Sequence, residues 1–123
     1  MKLIIAGGRD FNDKILAWKE FNGFAAELNT DLSKLNSITE IVSGGARGAD
    51  KMGEFIAQFY NIPVKQFVPD WDGLGKKAGH VRNREMGDYA DALLAFWDGE
   101  SKGTKGMIEY AKKKGLIVKV VMY

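Results

Sequence analysis

With 123 residues, the chain is long enough for one hydrophobic core and too short for two, so a single domain over 1–123 is expected. At 46% hydrophobic and 28% charged residues it has the composition of an ordinary globular protein, and its formal charge of +2 argues against nucleic acid or an anionic membrane as the default partner. Zero cysteines exclude disulfides, thiolate nucleophiles and iron–sulfur clusters, and one histidine leaves too few ligands for a histidine metal site, so no metal centre is expected. The apolar stretch after Met1 and Lys2 is too short for a signal peptide, which implies a cytoplasmic protein.

Lys2 to Ala6 is a short apolar run rich in β-branched residues, closed by Gly7 and Gly8, as in a strand buried on both faces. A helix follows from Asn12 or Asp13 to about Asn29, with Ile15, Leu16, Trp18, Phe21, Phe24, Ala25 and Leu28 forming its inward stripe. Residues 31–36 have turn character with room for another helical turn, and Ile38 to Val42 read as the second strand. The loop Ser43-Gly44-Gly45-Ala46-Arg47-Gly48-Ala49-Asp50 leads into a helix whose Met52, Phe55, Ile56 and Phe59 are expected in the core; Asn61 and Pro63 end it. Val64 to Val68 is the third strand. Pro69 to Gly79 is then a long glycine-punctuated loop, long enough to suggest a lid hinged at Gly73, Gly75 and Gly79. A short helix from His80 to Tyr89 precedes the fourth strand, Ala92 to Trp97. A polar loop from Asp98 opens a helix from about Thr104 to Lys114, with Met107, Ile108 and Ala111 inward and Gly115 beyond its end, before a last strand at Leu116 to Val121.

This alternation predicts an α/β fold, a Rossmann-like three-layer α/β/α sandwich with about five parallel strands. In such a sheet the strand-to-helix loops open on the carboxyl edge, and three of them hold the grouped glycines. Gly7-Gly8-Arg9-Asp10 follows the first strand, Ser43 to Asp50 the second, and Ser101-Lys102-Gly103-Thr104 precedes the last helix. Glycine admits close approach of an anion, and a helix N-terminus offers unpaired N–H groups at its positive end. Arginine at such a position opposes the dipole, a cost that a bound anion offsets. Taken one at a time, the glycine pairs also suit tight turns, Ser43 or Asp50 suits a helix cap, His80 a packing role and Asp98 a strand end.

Taken together, Gly7-Gly8-Arg9-Asp10-Phe11, Ser43 to Asp50, Asp70-Trp71 through His80-Val81-Arg82-Asn83-Arg84-Glu85-Met86, and Ser101 to Thr104 resemble the YspA/YpsA-related branch of the SLOG superfamily, over nearly the whole chain. SLOG is named for the Smf/DprA DNA-processing proteins and the LOG cytokinin-activating enzymes. The resemblance implies a Rossmann-like domain with a pocket for a nucleotide, a nucleoside monophosphate or an ADP-ribose-like molecule. Ser43 to Asp50 is similar to the S-G-x-A-R-G-x-D segment of DprA, which keeps single-stranded DNA as a weaker alternative partner; the chain lacks the basic stripe with exposed aromatics that such binding uses. The stretch from His80 to Met86 resembles the H-x-R-K-x-x-M helix of LOG enzymes and puts Arg82 where their catalytic arginine lies. The LOG pattern G-G-x-G-T-x-x-E requires glutamate three residues after Thr104, and Met107 stands there.

The expected function is therefore binding of a nucleotide or nucleotide-derived phosphorylated molecule. Gly7, Gly8, Gly44, Gly45, Gly48, Gly103, Ser43, Ser101 and Thr104 would bind phosphate or shape its loops, with charge from Arg9, Arg47 and Arg82; Asp10, Asp50, His80, Asn83 and Asp98 complete the rim, and Trp71 or Trp97 could stack on a base. The enzymatic alternative is an N-glycosidase or phosphoribohydrolase. It needs a carboxylate near an oxocarbenium-like centre, which makes Arg82, Asp98 and Glu100 the candidate catalytic residues, with Asp10 and Asp72 also near the rim. No cofactor is required, and Mg²⁺ would enter only with a bound phosphate. No membrane partner is expected, and a homodimer is compatible with the family.

Overall fold

A computed structural model describes residues 1–28 and 38–123. The elements run β1 Lys2–Gly7, α1 Lys14–Leu28, β2 Glu40–Ser43, α2 Ala49–Phe59, β3 Val64–Gln66, α3 Trp71–Leu74, a 3-10 turn Gly75–Lys77, α4 Ala78–Tyr89, β4 Ala92–Trp97, α5 Lys102–Lys113 and β5 Ile117–Met122. The five strands form one parallel sheet in the order β3-β2-β1-β4-β5, so the expected α/β Rossmann-like architecture is present. The expected helical turn at 31–36 and the end of the first helix near Asn29 fall outside the described residues.

Each strand sends alternate residues to opposite faces, which divides the core in two. Leu3, Ile5, Ile41, Ala92, Leu94 and Phe96 face α1 and α2, together with Phe21, Phe24, Met52 and Ile56. Ile4, Ala6, Val42, Leu93 and Ala95 face α4 and α5, with Met86, Met107, Ile108 and Ala111. The chain builds outward from β1 through β2 to β3, then crosses back to β4 on the other side of β1. Right-handed crossovers in opposite directions put the two helix pairs on opposite faces, and the order reverses between β1 and β4.

Several expectations are corrected. Phe55 and Phe59 are not core residues, and Phe59 is 63% exposed. The face of α2 against the sheet is made of Ala49, Met52, Gly53, Ile56 and Ala57, because small residues let the helix approach so closely that a Cβ at Gly53 would lie 2.7 Å from Ile5. The two phenylalanines turn sideways and meet Trp18 of α1 edge-on, with ring centroids 5.8 and 4.8 Å away. Ile15, placed in the α1 stripe by its spacing, is 83% exposed, whereas Phe21 and Phe24 are buried. The long loop from Pro69 to Gly79 is mostly helical: the Asp70 carboxylate accepts from the Gly73 N–H at 2.9 Å and caps α3, and α4 already begins at Ala78, which is buried. The third strand ends at Gln66 rather than Val68, and α5 begins at Lys102, which puts Gly103 inside its first turn.

Candidate functional site

The loops after β1 and β2 are bolted to one another before any ligand is considered. The Gly8 carbonyl accepts from the Ala49 N–H at 3.1 Å and from Phe11 at 3.3 Å, while the Gly8 N–H donates to Phe96 O at 3.2 Å. Gly48, the residue before α2, has φ +83, and a Cβ there would press into the Gly8 carbonyl and sit 2.7 Å from Arg9 Cα. Only glycine allows this contact. Phe11 stacks on Phe96 at 4.3 Å, and Tyr123 donates to Asp10 Oδ1 at 2.7 Å, so Asp10 anchors the β1 loop to the end of the chain.

At the end of β2, where the second loop begins, Ser43 is fully buried and serves as a hub. Its hydroxyl donates to Glu54 Oε2 at 2.6 Å and accepts from the Gly45 N–H at 3.0 Å. Glu54 also accepts from Gln66 at 2.9 Å and pairs with Lys51 at 3.3 Å. Partial burial opposes ionisation of Glu54, but the bonds from Ser43, Gln66 and Lys51 outweigh it and hold the carboxyl below its ordinary value. Asp50 Oδ2 accepts from the Ala46 N–H at 3.1 Å. Two of the loop's N–H groups, Gly45 and Ala46, are thus consumed by the protein, as is that of Gly8. At the start of α2 the N–H groups of Asp50 and Lys51 have no acceptor among the described residues, and Gly48 supplies no side-chain cap.

Beside these loops lies a cleft of about 620 Å³, lined by Arg9, Gly44, Gly45, Ala46, Arg47 and Lys51 and by Gln66, Val68, Pro69, Trp71 and Arg82. Arg9, Ala46 and Arg82 also line a smaller inner pocket of about 70 Å³. The inner pocket sits at the β1/β4 reversal, between Ala6 and Gly7 of β1, Asp50 of α2, Asn83 and Met86 of α4, and Gly103, Thr104 and Met107 of α5. Ligands of open α/β sheets bind at such reversal points.

Arg82 joins the two compartments. Its Nη1 donates to the Gly44 carbonyl at 2.6 Å and its Nε to Asn83 Oδ1 at 2.9 Å. A Cβ at Gly44 would collide with the guanidinium and lie 2.7 Å from Asp50 Oδ2, which explains glycine at a position with no unusual φ. Burial lowers the pKa of Arg82; Asp50 works against this and Arg9 adds to it. Asp50 is only 6% exposed, and desolvation raises its pKa from 3.8 to about 6, opposed by the Ala46 N–H and by Arg82, reinforced by Glu54 and opposed again by Arg9. Among the described residues, no carboxylate lies within 4.0 Å of Arg9, Arg47 or Arg82.

The structure therefore gathers Gly7, Arg9, Gly44, Gly45, Arg47, Asp50, Trp71, Arg82, Asn83, Gly103 and Thr104 around two neighbouring spaces that share Arg9, Ala46 and Arg82. Gly8, Ser43 and Gly48 build their floor. Other expected residues fall elsewhere. His80 lines a separate groove between α4 and α5 with Arg84, Glu109 and Lys113, and Asn83 reaches both. Asp98 lies outside the cleft lining, where Oδ1 accepts from the N–H groups of Glu100 and Ser101 at 2.9 and 2.8 Å; these bonds hold its pKa low and shape the entry to α5. Glu100 and Asp72 are exposed and line none of these spaces. Ser101 accepts from Thr104 N–H at 3.5 Å as the cap of α5, and the Trp97 indole donates to the Ser101 carbonyl at 3.0 Å, so Trp97 braces the turn. Lys51, Glu54 and Gln66 enter the site without having been anticipated. Lys51 directly follows the Ser43 to Asp50 segment and Gln66 ends a strand on the carboxyl edge, so position carried a signal for both.

No group of three histidine or acidic side chains among the described residues could hold a metal ion, and no helix among them is long and apolar enough to cross a membrane. No solved structure matches the chain. The "Gene 61 protein" of Mycobacterium phage D29 is 35% identical, over 95% of this chain and 93% of its own length. The sequence model of the YspA, cpYpsA-related SLOG family matches residues 1–73, the part that carries β1, the bolted loops, the Ser43 hub and Trp71, and the chain belongs to that family.

Proposed function

We propose that the cleft binds a nucleotide or a nucleotide-derived phosphorylated molecule. The observation that carries this reading is the grouping of three arginines with no carboxylate within 4.0 Å among the described residues. Arg9 is close enough to Arg82 to disfavour its charge, and Arg47 and Lys51, the latter paired with Glu54, line the same cleft. Bringing like charges together costs free energy that an anion recovers, and charge-assisted bonds from arginine to phosphate are the usual means. The unpaired N–H groups at the start of α2 add donors beside them. Trp71, half exposed at the cleft wall, offers a face for a base. Calorimetry with nucleoside mono- and diphosphates, ADP-ribose and sugar phosphates tests the reading. Saturable heat that vanishes in Arg82→Ala supports it, and absence of heat from every member of the set refutes it.

A second reading, N-glycosidase action on such a ligand, is favoured by one observation. Asp50 is a buried carboxyl in the inner pocket whose pKa of about 6 suits proton transfer or stabilisation of an oxocarbenium-like centre. This moves the candidate carboxylate from Asp98 and Glu100 to Asp50, with Arg82 beside it. Release of free base from nucleoside monophosphates or NAD, lost in Asp50→Asn, separates an enzyme from a binding protein.

A further inference from the structure

We propose that the inner pocket is a sugar-hydroxyl subsite in which Asp50 Oδ1 accepts a hydrogen bond from a ribose hydroxyl, so that the cleft selects ribonucleotides over deoxyribonucleotides. The inference rests on the nucleotide reading above and adds the identity of the sugar.

Two facts about Asp50 lead to it. The side chain is more than nine-tenths buried and lines the inner pocket. Only one of its oxygens is satisfied: Oδ2 takes the Ala46 N–H, and no donor among the described residues reaches Oδ1. Buried carboxylate oxygens are costly to leave unmet, so a polar atom of the ligand is expected there. The charged groups around it are Arg82 from α4, Arg9 from the β1 loop and Glu54 one turn along α2, and none donates to Oδ1. Arg82 directs Nη1 and Nε to Gly44 and Asn83 instead.

The chemistry of the pocket then selects the occupant. A phosphate oxygen is an acceptor and pairs with Asp50 only when the acid is protonated, whereas a sugar hydroxyl both donates and accepts and pairs with either form. Size agrees. At about 70 Å³ the inner pocket has room for roughly two water molecules, which suits one or two hydroxyls and excludes a base. Arg9 and Arg82 border both spaces, while Arg47, Lys51 and the larger volume lie outward, beside Trp71. A ribonucleotide therefore has its sugar edge inward and its phosphate and base in the outer cleft.

The test compares nucleoside 5′-phosphates of all four bases with their 2′-deoxy and 3′-deoxy counterparts, by calorimetry on the full chain at constant pH and salt. Loss of one of the two hydroxyls is expected to weaken binding by about ten- to hundredfold, the usual worth of a hydrogen bond to a charged group. In Asp50→Asn the Ala46 N–H claims the amide oxygen and an NH₂ replaces Oδ1, so the ribose preference should fall to about a few-fold. Equal binding of ribo- and deoxyribonucleotides by the unaltered protein overturns the subsite while leaving the nucleotide reading intact, and this arm requires no variant to fold. An undiminished ribose preference in folded Asp50→Asn overturns the assignment to Asp50. Failure of every nucleotide to bind removes both the subsite and the reading on which it rests.

Discussion

Replacing Asp50 by asparagine should make the protein more stable at neutral pH, and the gain should disappear in acid. An unfolded aspartate ionises near 3.8, whereas in the fold desolvation raises this to about 6, the Ala46 N–H, Arg82 and Arg9 offsetting only part of it. Between these values the folded state binds more protons than the unfolded chain, so this group makes stability fall as pH rises through the window, and the cost is complete above about pH 6. At about 1.4 kcal/mol per unit, the difference is about 3 kcal/mol. Asparagine retains an acceptor for the Ala46 N–H and is nearly isosteric with the protonated acid, so the two proteins should match near pH 3.5 and diverge toward pH 7.5. For a domain of this size the divergence corresponds to roughly 10 °C in Tm. Glu54 works in the opposite direction, because its lowered pKa gives stability that is lost as pH falls; it is present in both proteins, so the difference between them reports the Asp50 charge together with its coupling to Glu54. Urea unfolding of both proteins at five or six pH values checks the argument. A difference that stays flat across the range would refute the claim that burial of an ionised carboxylate sets the cost.

Gly48→Ala should destabilise by about 2–4 kcal/mol, since its φ of +83 and the Gly8 carbonyl both oppose a side chain; denaturant midpoints measure it, and a change below about 0.5 kcal/mol would contradict the bolted-loop geometry. Gly44→Ala keeps an ordinary backbone conformation but must displace the Arg82 guanidinium, so phosphate affinity should drop by about tenfold or more, with a smaller effect on stability; calorimetry beside thermal unfolding separates the two. Ser43→Ala orphans the Gly45 N–H and removes one support of Glu54 in a fully buried setting, and should cost about 1–3 kcal/mol by chemical denaturation.

Where sequence reading failed, the cause was three-dimensional packing. The spacing of Met52, Phe55, Ile56 and Phe59 is that of an inward stripe, yet the sheet accepts the side of α2 that carries Gly53 and Ala57, because close approach to Ile5 requires small residues. Glycines at 73, 75 and 79 signal a broken loop, but the Asp70 cap and the burial of Ala78 fold most of it into helix. Asp98 and Glu100 were reasonable carboxylates for the rim by position; the turn before α5 takes up the Asp98 oxygen, and neither side chain lines the cleft. Arg9, Gly44, Gly45, Arg47, Trp71 and Arg82, by contrast, were all legible before the structure, and all six line the outer cleft.

The sequence by itself determined the α/β order, the parallel sheet and the edge on which the glycine loops gather, because apolar period and glycine position are local properties and the chirality of the crossover does the rest. It could also name Arg9 and Arg47, since a cation in a glycine loop is visible without coordinates. Only the tertiary structure decided how the loop glycines act. The N–H groups of Gly8 and Gly45 are spent inside the fold, Gly48 and Gly44 are there for contact with Gly8 and Arg82, and the open donors lie one step further along, at Asp50 and Lys51. The same packing buries Asp50 with one oxygen unmet by any donor among the described residues. That depends on which groups from β1, α2, α4 and α5 arrive at the β1/β4 reversal, and no stretch of sequence contains that information.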